Sequence, residues 1–245
     1  MSSEKFVVET ILKKYNGNES VVTIPQDVTE IGESAFNDLT YDKHQNLTCV
    51  NFPKNLHHIG KYAFANCTAL SEVMFPESLI SIGTNAFANC KKITRINIPK
   101  NVKYIADTAF SGCPKLAFVT VDENNSVFHA VDNCLIETTT STLILGGIIS
   151  NVPTGVLAIG KSAFSGRDIE ILTIPEGVCS IGAYAFNGCR EKLTDVFIPA
   201  SVTKIGGGAF LWCGSKKGVP FTIHAPAYSY AEQYAKENDI PFVAE

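Results

Sequence analysis

Two apolar cassettes alternate along this chain. The first is an evenly spaced strand signature, Ile93-x-x-Ile96-x-Ile98-Pro99, with counterparts at Leu70/Val73/Phe75 and Leu193/Val196/Ile198. Side chains alternate across a strand, so the fourth and sixth positions point inward together and their neighbours point out. Proline ends the strand because it has no N–H for a ladder. The second cassette, Ile-Gly-x-x-Ala-Phe, begins at Ile31, Ile59, Ile82, Ile159, Ile181 and Ile205, with a seventh copy at Ile105 where Ala106 replaces glycine. Small alanine beside large phenylalanine lets this return segment approach the core, and the glycine is expected to serve a tight turn or a positive φ.

Successive starts of the second cassette differ by 28, 23, 23, 54, 22 and 24 residues, and the prolines 25, 53, 76, 99, 153, 175 and 199 show the same differences. Two markers moving together at a period of about 23 residues predict a right-handed solenoid with one parallel sheet and short return segments. No coil can bury its phenylalanine alone. Stacking does so, each fully buried large side chain contributing roughly 1.5–3 kcal/mol.

The period breaks twice. Extra residues around Asp38–Asp42 predict a longer loop, and 31 additional residues separate the fourth and fifth cassettes. Within that second excess, Phe128–Val131, Cys134–Glu137 and Thr142–Leu145 alternate with Asp-Asn and Thr/Ser turns, which predicts a short β-meander. Phe6–Glu9 and Ile11–Lys13 look like the same module, so the chain reads as two tandem halves. Ser229-Tyr230-Ala231-Glu232 fits a capping box, Ala231, Tyr234 and Ala235 form a helical apolar stripe, and Ile240-Pro241-Phe242 closes over the last coil. The organisation is a single solenoid domain, 1–245: a hairpin-like cap over 1–20, coils over 21–121, the meander insertion over 122–150, coils over 151–226 and a helical cap over 227–245.

The coil pattern Ile-Pro-x-x-Val-x-x-Ile-Gly-x-x-Ala-Phe-x-x-Cys-x-x-Leu-x-x-Val-x-Ile-Pro strongly resembles the BspA-like (Treponema pallidum type) leucine-rich repeats. Residues 76–121 match it almost position for position, and the pattern runs over about residues 20–225. The ending Ser229–Asn238 is similar to that family's C-terminal cap. The resemblance implies a bacterial, surface-exposed or secreted adhesion or protein-binding module, with a host or extracellular-matrix protein as partner. The family motif is structural throughout, so it implies no catalytic residue, cofactor or metal. An export signal upstream of Ser2 would fit the surface location; a native start at Met1 would instead fit a cytoplasmic scaffold for a bacterial partner, because Glu9 cuts off the short apolar run Phe6-Val7-Val8.

Composition narrows the picture further. The apolar fraction is 45% and mean hydropathy +0.11, which excludes intrinsic disorder. Charged residues make up 18%, net charge is −4 and no basic block occurs, which argues against nucleic acid and polybasic membrane surfaces. No run approaches the roughly 18 apolar residues a membrane span requires. Cys67, Cys90, Cys113, Cys189 and Cys213 each lie three residues after a cassette phenylalanine and form a ladder of buried reduced thiols, small hydrophobes at one coil position; Cys49, Cys134 and Cys179 fall off that register.

Three polar groupings invite chemistry and are read as structure. Gly206-Gly207-Gly208 sits inside the repeat cassette, without the strand-before and helix-after of a phosphate loop. Asp122–Ser126 with Asp132 lacks the spacing of a calcium loop. His57-His58 beside Cys67 lacks an orienting third group. The informative positions flank the inward pair and face the open side of the sheet: Cys49 and Asn51, Glu72 and Met74, Arg95 and Asn97, Phe118 and Thr120, Ile171 and Thr173, Asp195 and Phe197. Met74, Phe118, Ile171 and Phe197 are large apolar groups where a purely structural surface would be polar, so this concave face is the candidate ligand surface.

Overall fold

A computed structural model describes residues 6–8, 10–37, 46–149, 151–189, 192–214 and 220–245. The loop expected around Asp38–Asp42 lies outside the described residues. The chain divides into two compact units, Met1–His129 and Ala130–Glu245.

The first unit opens with an antiparallel hairpin, Phe6–Val8 against Ile11–Tyr15. Its second strand then starts a parallel ladder through Glu30–Ile31, His58–Ile59, Ser81–Ile82 and Tyr104–Ile105, with Leu12, Ile31, Ile59, Ile82 and Ile105 in register. A separate parallel ladder joins Val21–Thr23, Cys49–Asn51 and Glu72–Val73, and Arg95–Ile98 pairs in parallel with Phe118–Val121. The return segments therefore carry a β-ladder of their own, made from the isoleucine of each cassette and the residue before it. Two-residue strands suffice there because each need only hold the isoleucine inward before the chain turns.

The second unit repeats this plan. Cys134–Glu137 and Thr142–Gly146 form the antiparallel opening, and Thr142–Gly146 leads a parallel ladder through Ala158–Ile159, Ser180–Ile181 and Lys204–Ile205. The other ladder runs Ile171–Thr173, Asp195–Phe197, Thr222–Ala225 and Phe242–Ala244. The meander thus stands to the second unit as the N-terminal hairpin stands to the first: Leu143 pairs with Ile159 as Leu12 pairs with Ile31.

Within each unit the cassette phenylalanines form a stack. Tyr15 caps Phe36 at 4.9 Å between ring centroids, followed by Phe36–Phe64 at 4.6 Å, Phe64–Phe87 at 5.2 Å and Phe87–Phe110 at 5.2 Å. In the second unit Phe164, Phe186 and Phe210 stack at 5.1 Å each, and Phe210 ends against Phe221 and Tyr234. Offset ring pairs at these separations add to the area each ring buries.

The cassette glycine differs from expectation. Its φ is not positive; the left-handed residue comes two positions later, at Ser34, Tyr62, Asn85, Ser162, Tyr184 and Gly208. Glycine suits these positions because the backbones lie close: a Cβ on Gly60 would lie 2.8 Å from Ile31 O, and one on Gly83 would lie 2.9 Å from Gly60 C. In the Ala106 copy the corresponding Thr108 is not left-handed, unlike its six counterparts.

The C-terminal helix spans Tyr230–Glu237, with Ser229 as its cap accepting from Glu232 N and with Ala231, Tyr234 and Ala235 buried. The Glu232 carboxylate reaches back to the N–H of Tyr228, one residue earlier than an ideal capping box.

Candidate binding faces

The outward columns of the strand ladders can be built up residue by residue. In Arg95–Ile98 the side chains alternate exposed, buried, exposed, buried, and Ile96 and Ile98 carry the core contact. Phe118–Val121 sits in register beside it, placing Phe118 next to Arg95 and Thr120 next to Asn97. The Arg95 guanidinium lies 5.7 Å from the Phe118 ring centroid, a cation–π arrangement at a ring that is 51% exposed. In the adjoining column Thr120 Oγ1 donates to Asn97 Oδ1 at 2.9 Å, and Asn51 Nδ2 donates to Thr23 Oγ1 at 3.1 Å. Met74 is 83% exposed and Glu72 is also exposed. Cys49, half-buried and in register with Glu72, has its thiol pushed up by burial and then by the Glu72 charge.

The second unit presents a different surface. Ile171 is 50% exposed, with Thr173 exposed beside it, while Asp195 and Phe197 are half-buried. The reason is His224, one strand on and in register with Phe197: the two rings stack at 4.5 Å. Nε2 of His224 is 2.8 Å from Asp195 Oδ1, and Nδ1 is 3.0 Å from Glu245 Oε1. Both ring nitrogens can donate only in the imidazolium form. Burial lowers the affinity of His224 for its proton, but the bonds to Asp195 and Glu245 outweigh it and hold the imidazole above its ordinary range. Asp195 is held below the usual carboxylate range by a hydrogen bond from Thr194 and then by His224.

His224 and Val243, which is exposed and in register with it, extend this face beyond the residues picked out from the repeat. The signal for His224 is present in Ile223-His224-Ala225-Pro226, an Ile-x-Ala-Pro version of the strand ending in which alanine stands for the usual large apolar residue.

The cysteine ladder is built around one acceptor. Cys90, Cys113 and Cys189 are buried, and each thiol donates to the carbonyl of the cassette phenylalanine one coil back, at 3.2–3.3 Å. Cys67 is buried and makes a longer contact of 3.8 Å to Phe36 O. Cys213 makes the same bond to Phe186 O at 3.2 Å but is only half-buried, so the expectation of five fully buried thiols fails at the last rung. There the ladder reaches its final coil. All eight cysteines are free thiols; Cys134 is buried, Cys49 half-buried and Cys179 exposed.

The other polar groupings are occupied locally. Asp122 Oδ1 accepts from Asn124 N, and Asn125 ties the turn to Pro99 O, Val102 O, Val127 N and Phe128 N. His58 pairs with Ser81 Oγ at 2.8 Å. Gly206 is packed against Ala183, and Gly208 provides the left-handed residue of its cassette. Among the described residues no helix is long and apolar enough to cross a membrane.

The sequence matches the model of the BspA type leucine rich repeat region in six copies, over residues 14–131 and 148–231. No curated protein matches it. Among solved structures, it is similar to a leucine-rich repeat protein from Eubacterium ventriosum, with 26% identity, a TM-score of 0.59 and coverage of 86% of this chain and 48% of that one. It is also similar to a leucine-rich repeat protein from Bacteroides ovatus, with 22% identity, a TM-score of 0.51 and coverage of 87% and 59%. The pneumococcal vaccine antigen PcpA shares the fold at 17% identity and a TM-score of 0.54, over 96% of this chain and 83% of that one. The chain therefore spans about half the length of the first two structures.

Proposed function

Because this chain belongs to the family with the BspA type leucine-rich repeat region, we propose that it is a non-enzymatic protein-binding module of a bacterial surface or secreted protein, adhesin-like in its use. Its partner is a host or matrix protein, held by the outward columns of the strand ladders. One observation carries this reading. Inward positions are aliphatic or aromatic and mostly buried, Phe52, Phe75 and Val121 being half-buried, whereas the outward positions hold Met74 and Phe118 beside Glu72 and Arg95 in the first unit, and Ile171 in the second, at half exposure or more. Packing does not need those side chains. Exposed aromatic and aliphatic anchors with a neighbouring arginine and a polar surround are the composition of binding hot spots.

The test is binding of the full chain to a panel of purified matrix proteins, followed by Phe118→Ala and Phe197→Ala. Each substitution should weaken a genuine interaction at least about tenfold, about 1.4 kcal/mol, with the circular dichroism spectrum unchanged. Unaltered affinity in both, with loss on changing the exposed Tyr104 and Leu157 of the return segments, would overturn the assignment to these faces.

A further inference from the structure

The strand Thr222–Ala225 carries one titratable side chain, His224, and the two acids that hold it come from different neighbours. Asp195 belongs to the strand before, and Glu245 directly follows the strand after, Phe242–Ala244. That last strand lies at the end of its four-stranded ladder. Its backbone is tied in by Ile223 N donating to Pro241 O at 2.9 Å and by Glu245 N donating to Ala225 O at 3.1 Å. Phe242 is half-buried against the core, whereas Val243, Ala244 and Glu245 are exposed. The contact between His224 and Glu245 is therefore a side-chain tether on a strand with little packing of its own.

The tether depends on the proton of the imidazole. A neutral ring has one N–H and one lone pair, so it cannot donate to two carboxylates at once. Loss of the proton sets a ring lone pair against a carboxylate, two acceptors with no hydrogen between them. The contact to Asp195 is the shorter, 2.8 Å against 3.0 Å, and the Asp195 side chain is 32% exposed against 53% for Glu245. Glu245 is thus the partner that turns out into water. The cap helix packs on the opposite side of the strand, where Ala231, Tyr234 and Ala235 join Ile223 and Ala225 in the core. Its titratable group on that side is Tyr234, which burial holds above the ordinary phenol range. Its charged groups are occupied, Lys236 with Glu232 at 2.6 Å and Glu237 accepting from Gln233 at 2.8 Å. In the first unit the matching outward pairs, Thr120–Asn97 and Asn51–Thr23, are neutral, which makes that ladder an internal control.

We propose that Asp195, His224 and Glu245 form a pH-operated latch on the strand Phe242–Ala244, fastened while the imidazole is protonated and released when it is neutral. The latched form supplies both acceptors that the imidazolium needs, and the open form supplies one, so proton binding and docking of the strand reinforce each other. The latch is complete below the ordinary imidazole value of about 6.5 and is lost as pH rises through the higher folded value. The raised affinity of His224 for its proton agrees with that direction. Release frays the strand locally while the buried inward column stays in place. It uncovers the edge of Thr222–Ala225 and withdraws Val243 from its place beside His224. The latch concerns how this face is assembled, and it holds whether or not the face binds a protein.

The test follows the isotope-labelled full chain by NMR from about pH 5 to about pH 9, reading the His224 ring and the amide exchange of each strand, corrected for the intrinsic effect of pH. The expected result is that protection of the Ile223 and Glu245 amides falls at least about threefold as the His224 ring loses its proton. Protection of Val119 in the first unit should not change over the same range. Glu245→Gln should abolish the response, because an amide side chain can pair with either form of the imidazole. His224→Gln should abolish it too; if that variant does not fold, the exposed Glu245→Gln change decides alone. Constant protection in the wild type, an equal fall at Val119, or an undiminished response in Glu245→Gln would each overturn the proposal.

Discussion

His224 and Asp195 form an ion pair between successive coils on the second unit's open face, Nε2 to Oδ1 at 2.8 Å, and Phe197 stacks on the same imidazole. The pairing favours the charged form of His224 and the ionised form of Asp195, so each should make stability depend on pH.

The two signs differ. The folded affinity of His224 for a proton is raised, so its contribution is complete below the ordinary imidazole value of about 6.5 and is lost as pH rises through the higher folded value. Asp195 is depressed, so its contribution is present above the ordinary carboxylate value and is lost as pH falls through the lower folded one. Denaturant midpoints of wild type and His224→Gln, measured across pH, should therefore differ most in the mildly acidic range. The gap should close toward both alkaline and strongly acidic pH. A constant gap would show that His224 acts by packing on Phe197 alone.

Phe110 and Phe118 separate core from face. Phe110 is 1% exposed and stacked on Phe87, so Phe110→Ala should cost roughly 3–5 kcal/mol. Phe118→Ala removes a half-exposed ring and should cost less than about 1.5 kcal/mol. Urea titration of both variants distinguishes them, and equal losses would mean that Phe118 is a core residue.

Gly60→Ala should be costly although φ at Gly60 is not left-handed. Its Cβ would press on Ile31 O and on the backbone of Gly32 and Glu33, none of which is the end of a flexible side chain. Forcing the coils apart there should cost about 1–3 kcal/mol, visible as a lowered thermal midpoint. A neutral result would show that adjacent coils can slide.

Thiol labelling at pH 8 should be graded by burial. Cys179 should react first in the native protein, Cys49 and Cys213 more slowly, and Cys67 and Cys134 only on unfolding, since burial pushes both of the latter to about 12. Rapid native labelling of Cys67 or Cys134 would contradict the packed core.

The repeat itself was legible from residues alone. Two markers with a common period imply stacked coils, an inward phenylalanine and an outward pair on each strand, because a side chain's direction in a regular strand follows from its position by alternation. Met74, Phe118 and Ile171 are exposed for that reason, while Phe64, Phe87, Phe110, Phe164, Phe186 and Phe210, which lie in the turns after the return strands, are buried because each recurs at one position of the coil and stacks on its neighbour. The meander, the two tandem halves and the cap helix followed from local turn and capping chemistry. What needed the tertiary structure was every relationship between one coil and the next that spacing does not encode. The cassette glycine yields to backbone contact with its neighbour and not to φ, a distinction visible only once Gly60 lies against Ile31. His224 joins the face because its strand adds to Asp195–Phe197 despite an altered ending. Arg167, three residues after Phe164 where other coils carry cysteine, is buried, and its Nε donates to Gly146 O at 2.9 Å. Periodicity determines which way a side chain points; three-dimensional stacking decides which other side chain it meets.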